Sequence, residues 1–79
     1  MRNNFQAQRE RVLHRLAEGP MTTHEAREQI AVIHPAGRVM ELRRQGHDIL
    51  THWTKEPNAQ GHMHRVAKYV LLSRKGVQS

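Results

Sequence analysis

The chain contains no cysteine. That removes disulfide scaffolds, thiolate zinc sites and dithiol redox motifs, and nothing calls for an oxidising compartment. Aromatic residues are nearly as scarce, with one Phe, one Trp and one Tyr. Stacking on unpaired bases, the usual route to single-stranded RNA, therefore has little surface to use. No apolar run approaches the ~18–20 residues of a membrane-spanning helix. The opening residues Met1-Arg2-Asn3-Asn4-Phe5-Gln6 are polar where a secretory leader is apolar. The expectation is a cytoplasmic protein without a membrane partner.

Catalytic constellations are missing as well. The seven carboxylates (Glu10, Glu18, Glu25, Glu28, Glu41, Asp48 and Glu56) are scattered, with no convergent pair. There is no glycine-rich phosphate loop and no nucleophile elbow. The reading is a non-enzyme without a cofactor.

What the chain does have is positive charge. Thirteen Lys and Arg against seven Asp and Glu give +6 at pH 7, and the sequence pI is about 11.2. Such a balance is the electrostatic footprint of a polyanion binder. At 79 residues the chain makes one small domain, burying only ~60–65% of the surface its unfolded form exposes. The domain is expected over residues 1–72, followed by a flexible tail over 73–79.

The apolar residues are organised. Phe5, Val12, Leu13 and Leu16, with Arg9 filling the missing step, form one face of a first helix. Gln8, Arg11, Arg15 and Glu18 fall on the other face, and Phe5 reads most simply as core. Gly19-Pro20 ends the helix. Thr22 and Glu25 have capping-box spacing and start a second helix from about Thr23 to Ile30, with Ala26 and Ile30 inward. After the turn Ala31-Val32-Ile33, His34-Pro35 starts a third helix with Pro at its first position, running to about Gln45. Ala36, Val39 and Leu42 share its apolar face. His34, Gly37, Glu41 and Arg44 fall opposite, flanked by Arg38 and Gln45. Gly46 is placed as a left-handed C-cap.

Beyond Gly46 the period changes to two. His47 to Thr54 and His62 to Leu72 read as two strands around a turn-rich loop, Lys55 to Gly61. Ala67, Tyr69 and Leu71 are placed inward, toward Ile49 and Trp53. Val66 and Val70 argue the reverse.

Two helices joined by a three-residue turn, then a hairpin, have the spacing of a helix-turn-helix with a wing. Val39, Leu42, Gly46 and Ile49, within Arg38 to Ile49, resemble the recognition helix and first wing strand of winged helix-turn-helix proteins. The Gly46-His47-Asp48-Ile49 run, Thr51, Trp53, Gly61 and the Arg65 to Leu71 strand resemble small helix-turn-helix proteins of bacteriophages and prophages. The resemblance implies an α+β fold, a winged helix-turn-helix with three helices followed by a two-stranded β-hairpin wing. It implies duplex DNA as the partner.

The residues placed on DNA follow from their reach. The third helix exposes His34, Arg38, Arg44 and Gln45, and small Ala36 and Gly37 at its start allow close approach. Arg38 is long enough to bind a guanine edge through two donors. Thr22, Thr23 and Lys55 can hold phosphates. His62, His64 and Arg65 near the hairpin tip can follow the backbone or enter the minor groove. Arg9, Arg11 and Arg15 add general field. Glu41 lies on the same outward face; intrahelical pairing with Arg38 or Arg44 is favoured over accepting from a cytosine amine. Gly37 weakens the helix by roughly 1 kcal/mol against Ala, explained either by close approach of DNA or by packing against the second helix. Trp53 reads as core at the wing base. His62 and His64 face one side of a strand, but at most one of His47 and His52 can join them, so no metal site is expected. The histidines read instead as a titrating set that adds positive charge as pH falls.

The function expected is sequence-specific binding of double-stranded DNA by a phage or prophage transcriptional regulator. Two copies, a homodimer on a repeated or palindromic site, would give so small a module its specificity. The rival class is a protein-interaction module, such as a phage-encoded inhibitor of a host transcription or defence component. Its partner would be an acidic surface of a host protein.

Overall fold

The computed structural model describes residues 4–73. Its elements are α1 (Phe5–Leu16), β1 (Met21–Thr22), α2 (Thr23–Ile30), α3 (Pro35–Arg44), β2 (Asp48–Pro57) and β3 (Met63–Ser73). Three helices pack on a three-stranded antiparallel sheet of order β1-β3-β2. The third strand was not expected. Met21 and Thr22 read as helix-entry residues, and they are, but on the way in they also pair with Tyr69 and Lys68 of β3. Two residues are too few for an alternation pattern to reveal a strand.

The helix boundaries have local causes. Asn4 caps α1, its Oδ1 accepting from Ala7 N–H at 2.8 Å. The helix closes at Leu16, and Gly19 (φ +152°) turns the chain toward Pro20. The capping box at α2 is present: Thr22 Oγ1 accepts from Glu25 N–H (3.1 Å), and Glu25 Oε1 accepts from Thr22 N–H (2.8 Å). α2 stops at Ala31, in the left-handed region at φ 56°. Val32 turns fully inward, while Ile33 stays exposed. Pro35 opens α3. Gly46 (φ +103°) closes it, with His47 N–H donating to Leu42 O and Gly46 N–H to Arg43 O, each at 3.0 Å. This is the C-cap expected at Gly46, in Schellman form.

The core joins all layers: Val12 and Leu16 of α1, Met21, Ala26, Val32, Val39 and Leu42 of α3, and Ile49, Ala67 and Tyr69 of the sheet. Tyr69 and Ala67 point inward as expected, with Leu71 partly buried against the cluster. Phe5 is not core; it is 55% exposed. The hairpin is longer and its loop shorter than expected. β2 runs through Pro57, which pairs with Met63, leaving residues 58–62 as the loop. Asn58 organises that loop: its Oδ1 accepts from the N–H groups of Gln60 (2.9 Å) and His62 (3.0 Å). Pro57 is tolerated because β2 is an edge strand. Ser73 closes β3; the rest of the tail expectation lies outside the described residues.

Thr22 holds the capping box of α2 and the entry to the helix pair. Thr22→Ala is expected to destabilise the domain by about 1 kcal/mol, a fall of roughly 4–8 °C in Tm for a domain this small. Thr22→Ser, which keeps the oxygen, should recover most of it in a thermal melt.

Candidate nucleic-acid interface

Arg38 is the residue whose placement changes the site. It was expected on the outward face of α3, and it is buried, 6% exposed. Its Nη2 donates to Glu41 Oε2 at 2.9 Å and its Nη1 to Gln8 Oε1 at 3.4 Å. Its guanidinium carbon lies 3.5 Å from the centre of the Phe5 ring. Its Nε is buried without a hydrogen-bond partner. Gln8, expected on the outer face of α1, is buried against it. Arg9 of α1 completes the group, its Nη1 donating to Glu41 Oε1 at 2.8 Å. The expected Arg38–Glu41 pairing within α3 is present. What sequence spacing could not supply is the neighbouring helix, which draws both residues toward itself.

The hydrogen bond from Arg9 holds the Glu41 carboxyl below the ordinary glutamate range. Partial removal from water opposes this, while the Arg38 hydrogen bond and the charge of both guanidiniums reinforce it.

With Arg38 turned in, the outer face of α3 is rotated roughly 80° from the face expected, at 100° per residue. Ala36, Met40, Arg43 and Arg44 are exposed and Gly37 is half-buried. Met40, 52% exposed, is at its centre. Ala36, read as inward, faces out. A Cβ built on Gly37 meets nothing within 4 Å. Packing against α2 therefore does not account for that glycine, and the outward side of α3 at this point is open. Arg43 is tied to the hairpin, Nε donating to Ile49 O (2.8 Å) and Nη2 to Thr51 Oγ1 (2.7 Å). That pair of bonds fixes the angle between α3 and β2. Arg44 Nη2 donates to the Met40 sulfur within α3, at 3.5 Å.

A groove of about 680 Å³ separates the hairpin from the first turns of α2 and α3. Thr23, His24, Arg27 and Ala36 line one wall, and Trp53, His64 and Arg65 stand on the other. Four of the expected site residues, Thr23, Ala36, His64 and Arg65, thus meet in one place. Trp53 was read as core. It is 54% exposed, and the Arg65 guanidinium carbon lies 4.5 Å from its ring centre. It points to the same side of the sheet as Ile49, but four residues further along the strand, about 13 Å. That distance takes it past the helices, and strand length was the signal to read. Lys55 and Arg65 are direct cross-strand partners. Like charges in that register repel, which an anion between them would relieve.

The remaining expected residues lie elsewhere. Thr22 is buried, its hydroxyl engaged in the cap. His34 is exposed at the N-cap of α3 without capping it. His62 is exposed in the hairpin loop. Gln45 faces another groove, beside Gln6, Arg9, Glu10 and His47. Arg11 and Arg15, expected to add field, are drawn onto α2 and the turn that ends α1: Arg11 Nε donates to Ile30 O (2.8 Å), Arg15 Nε to Gln29 Oε1 (3.0 Å) and Arg15 Nη1 to Gly19 O (3.0 Å). His24 and Arg27 were not singled out from the sequence because nothing there places α2 beside the hairpin. Among the described residues no three His, Cys, Asp or Glu could hold a metal, and no helix is long and apolar enough to cross a membrane.

A helix pair joined by the four residues 31–34, a solvent-facing second helix and a long hairpin beside it define the architecture. A family model described as a winged helix-turn-helix domain matches residues 7–74. The chain belongs to that family. No curated protein and no solved structure matches it. In this winged helix α2 and α3 are the helix-turn-helix and β2–β3 the wing. The architecture suggests DNA binding.

Two outcomes follow from the Arg38 cluster. Arg38→Ala removes a buried guanidinium and strands its partners, so it is expected to lower stability by on the order of 2 kcal/mol in a denaturant melt. Glu41 has a depressed folded pKa. Its contribution is present above the unfolded glutamate value near 4.3 and is lost as pH falls through the lower folded value. Glu41→Gln should flatten that acid limb of a Tm-against-pH curve, and an unchanged limb would mean that the pairing adds nothing.

Proposed function

We propose that the chain is a sequence-specific duplex DNA-binding protein, with α3 in the major groove and the wing on the flanking backbone. The observation that carries this reading is the shared opening of α3 and the wing onto one groove. Ala36, in the first turn of α3, faces it from one side, with Gly37 open beside it, and the Trp53–Arg65 pair with His64 faces it from the other. Small residues let a helix backbone approach a base edge, while the cations of the wing meet phosphates, which position the protein without reading sequence. Arg44, Lys55, Arg65, His34, His62, His64 and Thr23 are the proposed contacts. A transcriptional regulator acting in the cytoplasm of a phage- or prophage-bearing cell is the role in keeping with the wing sequence. Two copies on one site would supply specificity that a single small module lacks. The rival reading, a host-protein partner, draws on the chain's basic charge, on Glu41 in α3 and on the modest charge of that helix face. Glu41 is held by Arg9 and Arg38, which removes the carboxylate from the outward face together with Arg38.

The test is selection from a randomised duplex pool by mobility shift, at about 50 and 200 mM salt. An enriched motif is expected. With ~4–6 phosphates neutralised, log K should fall with log salt at a slope of about −4 to −5. Arg44→Ala, Lys55→Ala and Arg65→Ala should each reduce that slope by about 1 with Tm unchanged. Binding without any enriched sequence would reduce DNA to a charge effect. Gly37→Ala separates stability from contact. It is expected to stabilise the free domain by up to ~1 kcal/mol while weakening duplex binding, and a variant that gains stability and keeps full affinity would remove α3 from the groove.

A further inference from the structure

The outward face of α3 carries an unusual set of groups for a helix that reads bases. Ala36 and Met40 are exposed about 40° apart, with Gly37 on one flank and Arg44 a turn beyond. Ile33, 57% exposed, stands in the turn that leads in. The arc contains no Asn, Gln or Ser. The long donor that could have reached a guanine edge, Arg38, faces α1. Arg43 is held by the wing strand. The centre of the reading surface is therefore apolar, and cations stand around it: Arg27 and Arg44, with Arg65 across the groove.

Duplex DNA offers one apolar group in its major groove, the C5-methyl of thymine. It lies between two rows of phosphates. An apolar stripe rimmed by positive charge is complementary to methyl groups rimmed by negative charge. Resting on the DNA reading above, we propose that Ala36 and Met40 read thymine methyl groups, so that the preferred site is thymine-rich opposite the first half of α3. Met40 suits the task because its unbranched, polarisable side chain adapts to the methyl position. Ala36 adds a fixed methyl where the helix backbone comes closest. The same surface would take the methyl of 5-methylcytosine, which occupies the same place on the base.

Replacing thymine by deoxyuridine removes the methyl and keeps every hydrogen-bonding group of the base. The experiment compares the duplex enriched by selection with the same duplex made with deoxyuridine in place of thymine. Wild-type protein and Met40→Ala are both used. Met40 is exposed, so the variant should keep its Tm, which a thermal melt checks. The wild type is expected to bind the thymine duplex about fourfold more tightly for each methyl it covers, on the order of tenfold or more for two. Met40→Ala should lose at least half of that ratio on a logarithmic scale. Equal binding of the two duplexes by the wild type overturns the methyl reading and leaves DNA binding standing. A thymine preference that Met40→Ala keeps in full overturns the assignment to this face. Failure of the wild type to bind any duplex overturns the DNA reading, and this inference with it.

Discussion

The geometry of this domain depends on a carboxylate shared between two helices. Glu41 accepts from Arg9 of α1 through one oxygen and from Arg38 of its own helix through the other, at 2.8 and 2.9 Å. Neither arginine would settle at a helix interface alone, because a buried guanidinium without an anion carries a large desolvation cost. The three together make the positions compatible with a thin core, and Phe5 closes over Arg38 from above. The consequence is rotational. With Arg38 committed inward, α3 can present only the arc centred on Met40. That roll sets which side chains of α3 face outward.

A second tie works at the other end of α3. The bonds from Arg43 to Ile49 and Thr51 set the wing against the helix, and the Gly46 cap turns the chain sharply into β2. The wing then extends past the helical layer, so Trp53 leaves the core and becomes a platform for Arg65. Helix and wing face one groove because these two short-range devices fix their angle, while β1 holds the far edge of β3.

Much of the fold was legible because its signals are local. The capping box at Thr22, the proline at position 35, the glycine cap at position 46 and the inward Ala67 and Tyr69 need only neighbours in sequence or a period of two. What was not legible depends on partners distant in sequence. The two residues of β1 carry no period. Arg38 reads as outward by composition, since arginine is usually solvated. Only the approach of Gln8 and Arg9, some thirty residues earlier in the chain, reverses that. Ala36 was placed inward for the complementary reason, as an apolar residue on a short helix. Of the candidate site, the wing cations and the helix start were readable. The rotation of α3 and the exposure of Trp53 were not, because each is decided by where another element ends.

The Met40 face of α3 and the Trp53 side of the wing are proposed to receive duplex DNA together. The most direct measurement is a backbone and methyl NMR titration with the selected duplex. Shifts are expected to concentrate at Thr23, Ala36, Gly37, Met40 and Arg44 and at Trp53, His64 and Arg65. The α1 side around Glu10 and Gln45 should stay unmoved, and the Arg38 Nε–H should remain protected. Shifts centred on the α1 face, or on the outer sheet around Leu50 and Leu72, would contradict it.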